Sequence, residues 1–312
     1  MAPGEGRFDS PRFQLKKEGR HNGAPMASGS LTVVGTGIRL SQISVEARAC
    51  IQSADKLLFL VADPVSSSWL EEIHPKAESL YRFFSPDKLR LVSYLEMVER
   101  ILACVRQGQN ICTAFYGHPG VFVFPSHEAI RRARLEGFRA RMLPGVSAED
   151  CLFADLGIDP STSGCQSFEA TDFLISGRKF DTSASLILWQ IGVVGQIAFK
   201  RQPSLNGLRI LVDVLQQHYD PAHQVVIYEA ALYPHCDPLI QRLSLAKVAK
   251  SKVTGISTLY IPPKATPVLD LDMVDRLGIP RSYLTQWGNT APSQGSVRTI
   301  RKPTVSKRVD GE

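Results

Sequence analysis

Strands and helices alternate along this chain in the manner of an α/β protein built on a parallel sheet, and three observations carry that expectation. Short apolar runs recur at Leu31–Val34, Lys56–Val61 and Ile111–Phe115. Segments with apolar residues at three-to-four spacing stand between them. Two of the runs break into glycine turns, Gly35-Thr36-Gly37 and Gly117-His118-Pro119-Gly120, as a strand does where a ligand approaches bare backbone. At 312 residues and 44% hydrophobic content the chain can bury a full core, and two lobes of ordinary domain size are expected.

The elements follow in order. Residues 1–29 are rich in Gly, Pro, Ser and charge without periodicity and predict a disordered tail. Met26 fits as an initiator, since folded pattern begins at Leu31. Strand Leu31–Val34 leads through Gly35-Thr36-Gly37 to a helix over Val45–Ser53 and a strand over Lys56–Val61. The next helix has Ser85 as N-cap, Pro86 at its first position and Asp87 in its first turn. Leu91, Leu95, Val98, Leu102 and Val105 form its core-facing stripe, with Arg90 and Tyr94 one turn apart on the flank. After strand Ile111–Phe115 come a helix capped by Ser126 and stopped by Gly137, strand Phe138–Leu143, and a helix capped by Ser147 that runs through Leu156.

A second lobe is expected from Asp159-Pro160, with strands at Ser185–Gln190, Gln224–Glu229 and Ser257–Ile261 and a helix at Leu208–His218. Leu269–Leu277 reads as an amphipathic helix, and from Asn289 the chain is polar, basic and unstructured in expectation. The expected division is a tail over 1–29, lobes over 30–157 and 158–265, and a short helical segment with a basic tail over 266–312.

Composition narrows the function classes. No uninterrupted apolar run approaches the roughly 18 to 20 residues of a membrane helix, and the first residues lack a signal-peptide core, which predicts a cytoplasmic protein with no membrane partner. The net charge is +6, but residues 1–29 carry five basic and three acidic residues and 264–312 eight and five, leaving only +1 for the body. A nucleic-acid partner is therefore not expected. Six scattered cysteines contain no C-x-x-C pair, which predicts reduced thiols and neither zinc nor a disulfide framework. His118 has no second histidine at metal spacing, so no metal site is expected.

The candidate chemistry is weighed at five places. Position 40 is Leu, so Gly35-Thr36-Gly37 does not extend into a dinucleotide fingerprint. Gly117-His118-Pro119-Gly120 makes a shaped ledge at a strand end. Leu143-Pro144-Gly145-Val146-Ser147 opens a helix whose free N–H groups and Ser147 hydroxyl suit a carboxylate or simply cap the helix. Ser257-Thr258 offers hydroxyls at a strand edge. Tyr81, Arg90, Tyr94 and Tyr116 are the decisive group if they converge, because a guanidinium lowers a phenol's pKa of about 10 toward that of a general base. Half-buried core tyrosines with a snorkelling arginine are the alternative.

The runs Gly29–Gly37, Phe115–Phe122, Arg141–Cys151, Gly157–Ser161 and Gly255–Pro263 resemble the borosin peptide-backbone α-N-methyltransferases, members of the tetrapyrrole-methylase-like, class III S-adenosylmethionine methyltransferases, over about residues 29–265. The resemblance implies a two-lobed α/β methylase that dimerises and holds S-adenosylmethionine in a cleft between lobes, leaving S-adenosylhomocysteine. It implies one cofactor wall from Tyr116, Gly117, His118, Val121 and Phe122. The opposite contacts it implies are Ser147, Ala148, Gln190, Tyr228, Ala230, Ser257 and Thr258. Tyr81, Arg90 and Tyr94 match the family's catalytic positions, with Tyr94 expected as a phenolate base biased by Arg90. Phe84 departs from relatives that have tyrosine there. Residues 298–312 hold no Val/Ile/Gly-rich run of the kind fused relatives methylate, which predicts a split enzyme acting in trans on a separate precursor peptide, as a homodimer or a heterotetramer with two precursors. A tetrapyrrole or small-molecule methylase, a self-methylating fusion and an inactive scaffold are the alternatives.

Overall fold

The computed structural model describes residues 28–287 apart from 62, 87, 201, 267 and 268. The expected tails over 1–27 and 288–312, Met26 among them, lie outside the described residues. The chain divides into two units: residues 28–155 with 195–204 and 229–239, and residues 156–194 with 205–228 and 240–287.

The first unit contains β1 (Ser30–Gly35), α1 (Val45–Ser53), β2 (Lys56–Leu60), α2 (Pro64–Ile73), β3 (Ala77–Ser79), α3 (Arg90–Arg106), β4 (Asn110–Phe115), α4 (Phe124–Leu135), β5 (Arg139–Met142) and most of α5 (Ala148–Leu156). Its sheet has the order β3-β2-β4-β1-β5 and every pairing is parallel, so the crossovers must be helical and must cover both faces. The period-two alternation of strand side chains sorts the core accordingly. Leu31, Val33, Leu58, Ile111 and Phe115 pack against α3 and α4. Val34, Leu57, Phe59, Cys112 and Ala114 pack against α1 and α2. β1 pairs with β4 from Ser30↔Asn110 to Gly35↔Phe115, which brings both glycine turns to the carboxyl ends of adjacent strands.

Two expected caps are corrected. α3 starts at Arg90, not beside Ser85, and its N-cap Leu89 offers no side-chain bond. Ser85 instead opens a turn in which the Lys88 amide donates to its carbonyl at 3.3 Å. The Arg90 amide, one of the donors a helix start leaves orphaned, donates to the Ile197 carbonyl at 3.0 Å, so a tertiary contact replaces the cap. The buried stripe of α3 is accordingly shifted toward its middle, with Met97, Val98, Ile101, Leu102 and Val105 buried while Leu91 is 54% exposed. Ser126 lies inside α4 rather than at its cap, and its hydroxyl donates to the Val123 carbonyl at 2.7 Å and to that of Pro119. α2 and β3 are additional to the expected elements; α2 begins with Asp63 accepting the Ser66 amide at 2.8 Å and Pro64 in its first turn.

The second unit contains α6 (Pro160–Ser163), β6 (Cys165–Glu169), α7 (Ala170–Ile175), β7 (Ser185–Trp189), α8 (Leu205–Leu215), β8 (Gln224–Glu229, its last residue in the first unit), β9 (Leu239–Ser244, likewise at its first), α9 (Leu245–Val248), β10 (Thr258–Ile261), α10 (Leu271–Arg276) and α11 (Arg281–Trp287). Its sheet, order β6-β7-β10-β8-β9, is mixed: β6 and β7 are parallel, whereas β10 is antiparallel to both β7 and β8. The core joins Leu186 and Leu188 of β7, Val225 and Ile227 of β8, and Leu259 and Ile261 of β10 to Leu208, Leu211 and Leu215 of α8. Of the six cysteines, Cys104, Cys112 and Cys151 are buried and Cys236 is exposed. No helix among the described residues is long and apolar enough to cross a membrane.

Candidate functional site

In the first unit Tyr81, Phe84, Tyr94, Phe124 and Phe199 form one aromatic group. Phe84 lies edge-on to Tyr81 at 5.6 Å and to Tyr94 at 6.0 Å between ring centroids. Phe199 stacks on Phe84 at 5.2 Å and meets Tyr81 edge-on at 6.3 Å. Tyr94 stacks on Phe124 at 6.2 Å. Tyr81, on a 3-10 turn over Leu80–Phe83, is 50% exposed. Arg90 opens α3 one turn before Tyr94 and makes no ion pair among the described residues. Of the four expected residues, Tyr81 and Tyr94 thus flank Phe84, and Arg90 lies one turn from Tyr94. Phe199 escaped sequence reasoning because nothing local marks a residue 105 positions beyond Tyr94 as its neighbour.

The electrostatics of Tyr94 correct an expectation. Burial raises its pKa above 10, and the opposing pull of Arg90 is the smaller effect. At neutral pH Tyr94 is a phenol and a hydrogen-bond donor, not a phenolate. Tyr116 is pushed up to about 12, first by burial and then by nearby Cys151, Asp63 and Glu229. It belongs to the apolar group on the α1 and α2 face of the sheet, whereas Tyr94 packs on the α3 and α4 face.

The glycine turns owe their composition to chain packing. A Cβ on Gly35 would stand 2.3 Å from the Gly117 carbonyl oxygen, and one on Gly145 would stand 2.8 Å from the same atom. Gly37 and Gly117 exchange backbone bonds of 3.3 and 3.0 Å, with Gly117 at φ +70°. Three backbones therefore meet beyond the carboxyl ends of β1, β4 and β5 with no room for a side chain. His118 accepts the Gly120 amide on Nδ1 at 2.9 Å, which leaves its Nε2 as the protonated nitrogen. Phe122, 48% exposed beside Val121, is held at φ +55°, a costly conformation for an aromatic residue and one that clusters at ligand sites. Ser147 caps α5 by accepting the Asp150 amide at 3.2 Å, while its own amide and hydroxyl donate to the Asp150 carboxylate at 2.6 and 2.7 Å. The capping alternative is thus realised, and that amide is not free for a ligand.

In the second unit, Gln190, Tyr228, Ser257 and Thr258 come to one end of the sheet. Thr258 is paired with Tyr228 across β10 and β8, and Leu259 with Leu188 across β10 and β7. Gln190, at φ +60°, is followed by the Ile191 amide donating to the Ser257 carbonyl at 3.0 Å. The Ser257 hydroxyl accepts the Thr254 amide at 2.7 Å, and Tyr228, Ser257 and Thr258 are fully buried. Ala230, expected on the same wall, falls in the first unit, as does Ala148. No group of acidic, histidine or cysteine side chains among the described residues suits a metal ion.

Comparison with known proteins places these features. The family model described as Tetrapyrrole (Corrin/Porphyrin) Methylases matches residues 30–246. A methyltransferase/ribosomally synthesized cyclic peptide omphalotin A precursor of Omphalotus olearius is 44% identical over 256 residues, covering 80% of this chain and 61% of the relative. A methyltransferase/ribosomally synthesized type I borosin cyclic peptide precursor of Serendipita vermifera subsp. bescii is 43% identical over 274 residues, covering 85% and 66%. The chain thus spans about 60% of the length of the first curated relatives it matches. Among solved structures, uroporphyrin-III-C-methyltransferase from Thermus thermophilus is similar with a TM-score of 0.53 at 15% identity, over 75% of this chain and 92% of that one, a likeness of fold alone.

Proposed function

Because this chain belongs to the tetrapyrrole methylase family, we propose that it is an S-adenosylmethionine-dependent methyltransferase acting on backbone amide nitrogens of a ribosomally made precursor peptide. The observation that carries the reading is that Tyr81 and Tyr94 flank Phe84 in one unit with Arg90 acting electrostatically on Tyr94, in a chain whose relatives are named as a methyltransferase together with a cyclic peptide precursor. An amide nitrogen is a poor nucleophile until its proton leaves and charge gathers on the carbonyl oxygen, and this group of residues meets both requirements. Tyr94, kept neutral by burial, donates to that oxygen, and Arg90 supports the growing charge. Tyr81, half-exposed, relays the amide proton: its oxygen accepts that proton as its own hydroxyl proton leaves to water. This assignment moves the proton-accepting role expected of Tyr94 to Tyr81.

The donor's residues fit its chemistry. Within the first unit, the exposed Phe122 ring beside Val121 suits a flat base, and the His118 Nε2–H suits a polar part of a nucleoside amino acid. S-adenosylmethionine, when bound, supplies an electrophilic methyl group. The peptide substrate is proposed to reach the site in trans; the competing arrangement is self-methylation of a fused precursor, since the relatives are named as methyltransferase and precursor together. Tandem mass spectrometry decides both points: N-methyl groups on backbone fragments of a coexpressed apolar peptide are expected. Methyl groups confined to the protein's own chain would replace the trans arrangement, and methyl groups on no peptide would remove the function.

A further inference from the structure

The geometry points to Phe199 as a positioning residue for the amide-activating tyrosine and arginine, held there by the excursion of residues 195–204 into the first unit. This inference rests on the function proposed above. The chain leaves the second unit after Val194, contributes residues 195–204 to the first, and returns for α8. Gln196 closes the excursion on itself by donating from Nε2 to the Gln202 carbonyl at 2.8 Å.

The excursion is fixed by backbone bonds on both sides of Leu89. Leu89 and Ala198 form an antiparallel bridge, in which the Arg90 amide donates to the Ile197 carbonyl at 3.0 Å and the Phe199 amide to the Lys88 carbonyl at 3.3 Å. The first bond supplies the cap that α3 lacks, so the position of Arg90 depends on it. Ala198 is 8% exposed, with little space for sliding. The second bond places the Phe199 ring, which stacks on Phe84 with a 24° interplanar angle and meets Tyr81 edge-on at 89°. An edge-to-face contact restricts the orientation of the Tyr81 ring as well as its place. Tyr81 is 50% exposed, so few other contacts are available to restrict it. The same ten-residue excursion therefore sets both the start of the helix that carries Arg90 and the ring that carries the Tyr81 hydroxyl. Neither Ile197 nor Phe199 brings a titratable group, and the contribution is geometric.

The test compares the full-length wild type with Phe199→Ala, Phe199→Leu and Phe199→Tyr. Peptide methylation kinetics, S-adenosylmethionine calorimetry and hydrogen exchange at the Arg90 amide are measured on each. Misplacement of reacting groups by about 1 Å costs on the order of 100-fold in rate. The expectation is a kcat lower by about 10- to 100-fold in Phe199→Ala. Peptide KM and cofactor affinity stay within about threefold, Arg90 exchange is faster, and Phe199→Tyr restores the rate. Phe199→Leu keeps apolar volume without a ring and should stay slow, which separates ring geometry from loss of folding. Unchanged kcat in Phe199→Ala, or equal kcat in Phe199→Leu and wild type, overturns the inference. A wild type that methylates no peptide removes the proposed function instead, and the positioning of Arg90 is then judged by exchange alone: unaltered protection in Phe199→Ala overturns it.

Discussion

At the scale of single residues, the protonation state of Tyr94 separates two mechanisms. Burial is the larger influence and holds its pKa above 10, so it serves as a donor throughout the physiological range. Tyr94→Phe should lower kcat on the order of 100-fold, the cost of one lost oxyanion donor, and the fall should be the same from pH 7 to 9.5. Tyr81→Phe should lower kcat more than Tyr94→Phe does in the same methylation assay. A fall in Tyr94→Phe that grows as pH rises would return the base role to Tyr94. Phe84 stands where the resemblance offers tyrosine in some relatives. Its ring has Tyr81, Tyr94 and Phe199 as aromatic neighbours and acts as their common packing partner.

Among the elements, the segment leading into Tyr81 is anchored by charge. Glu78 of β3 meets Arg100 of α3 at 2.5 Å, Lys56 of β2 at 2.5 Å and Arg82 at 2.7 Å, and the Arg100 bond is the chief reason its pKa falls from 4.5 to about 2. A depressed carboxylate pKa stabilises the fold above pH 4.5, and that contribution disappears as pH falls toward 2. Glu78→Gln should destabilise by about 2 kcal/mol at pH 7, between the values for exposed and buried pairs. Chemical denaturation should show the difference from wild type narrowing below pH 4.5. Gly35→Ala should cost about 3 kcal/mol by overpacking against the Gly117 carbonyl, read as a shifted denaturation midpoint. The sequence makes β1, β2 and β4 legible because each carries a largely apolar run, and α1 over Val45–Ser53 because a serine cap precedes it. The start of α3 is not legible because its cap is a carbonyl contributed by Ile197, far along the chain. β6 escapes for a different reason: all five of its residues are only half-buried, so neither alternation nor an apolar run marks it.

For the whole molecule, the candidate site is legible in its residue types and less so in its assembly. Tyr81, Arg90 and Tyr94 lie within fourteen positions of one another, and their meeting follows from one turn and one helix. The residues expected at the cofactor fall in both units, and Tyr228 and Thr258 come side by side only through the pairing of β8 with β10. Excursions 195–204 and 229–239 return the chain to the first unit twice, a topology that local periodicity does not encode. The central claim is that Arg90 supplies charge to the reaction and not to cofactor binding. Its most direct test is Arg90→Ala measured twice, by S-adenosylmethionine calorimetry and by methyl transfer to peptide. The account predicts cofactor affinity equal to wild type with methyl transfer lowered at least about 100-fold, whereas full transfer by the variant would contradict it.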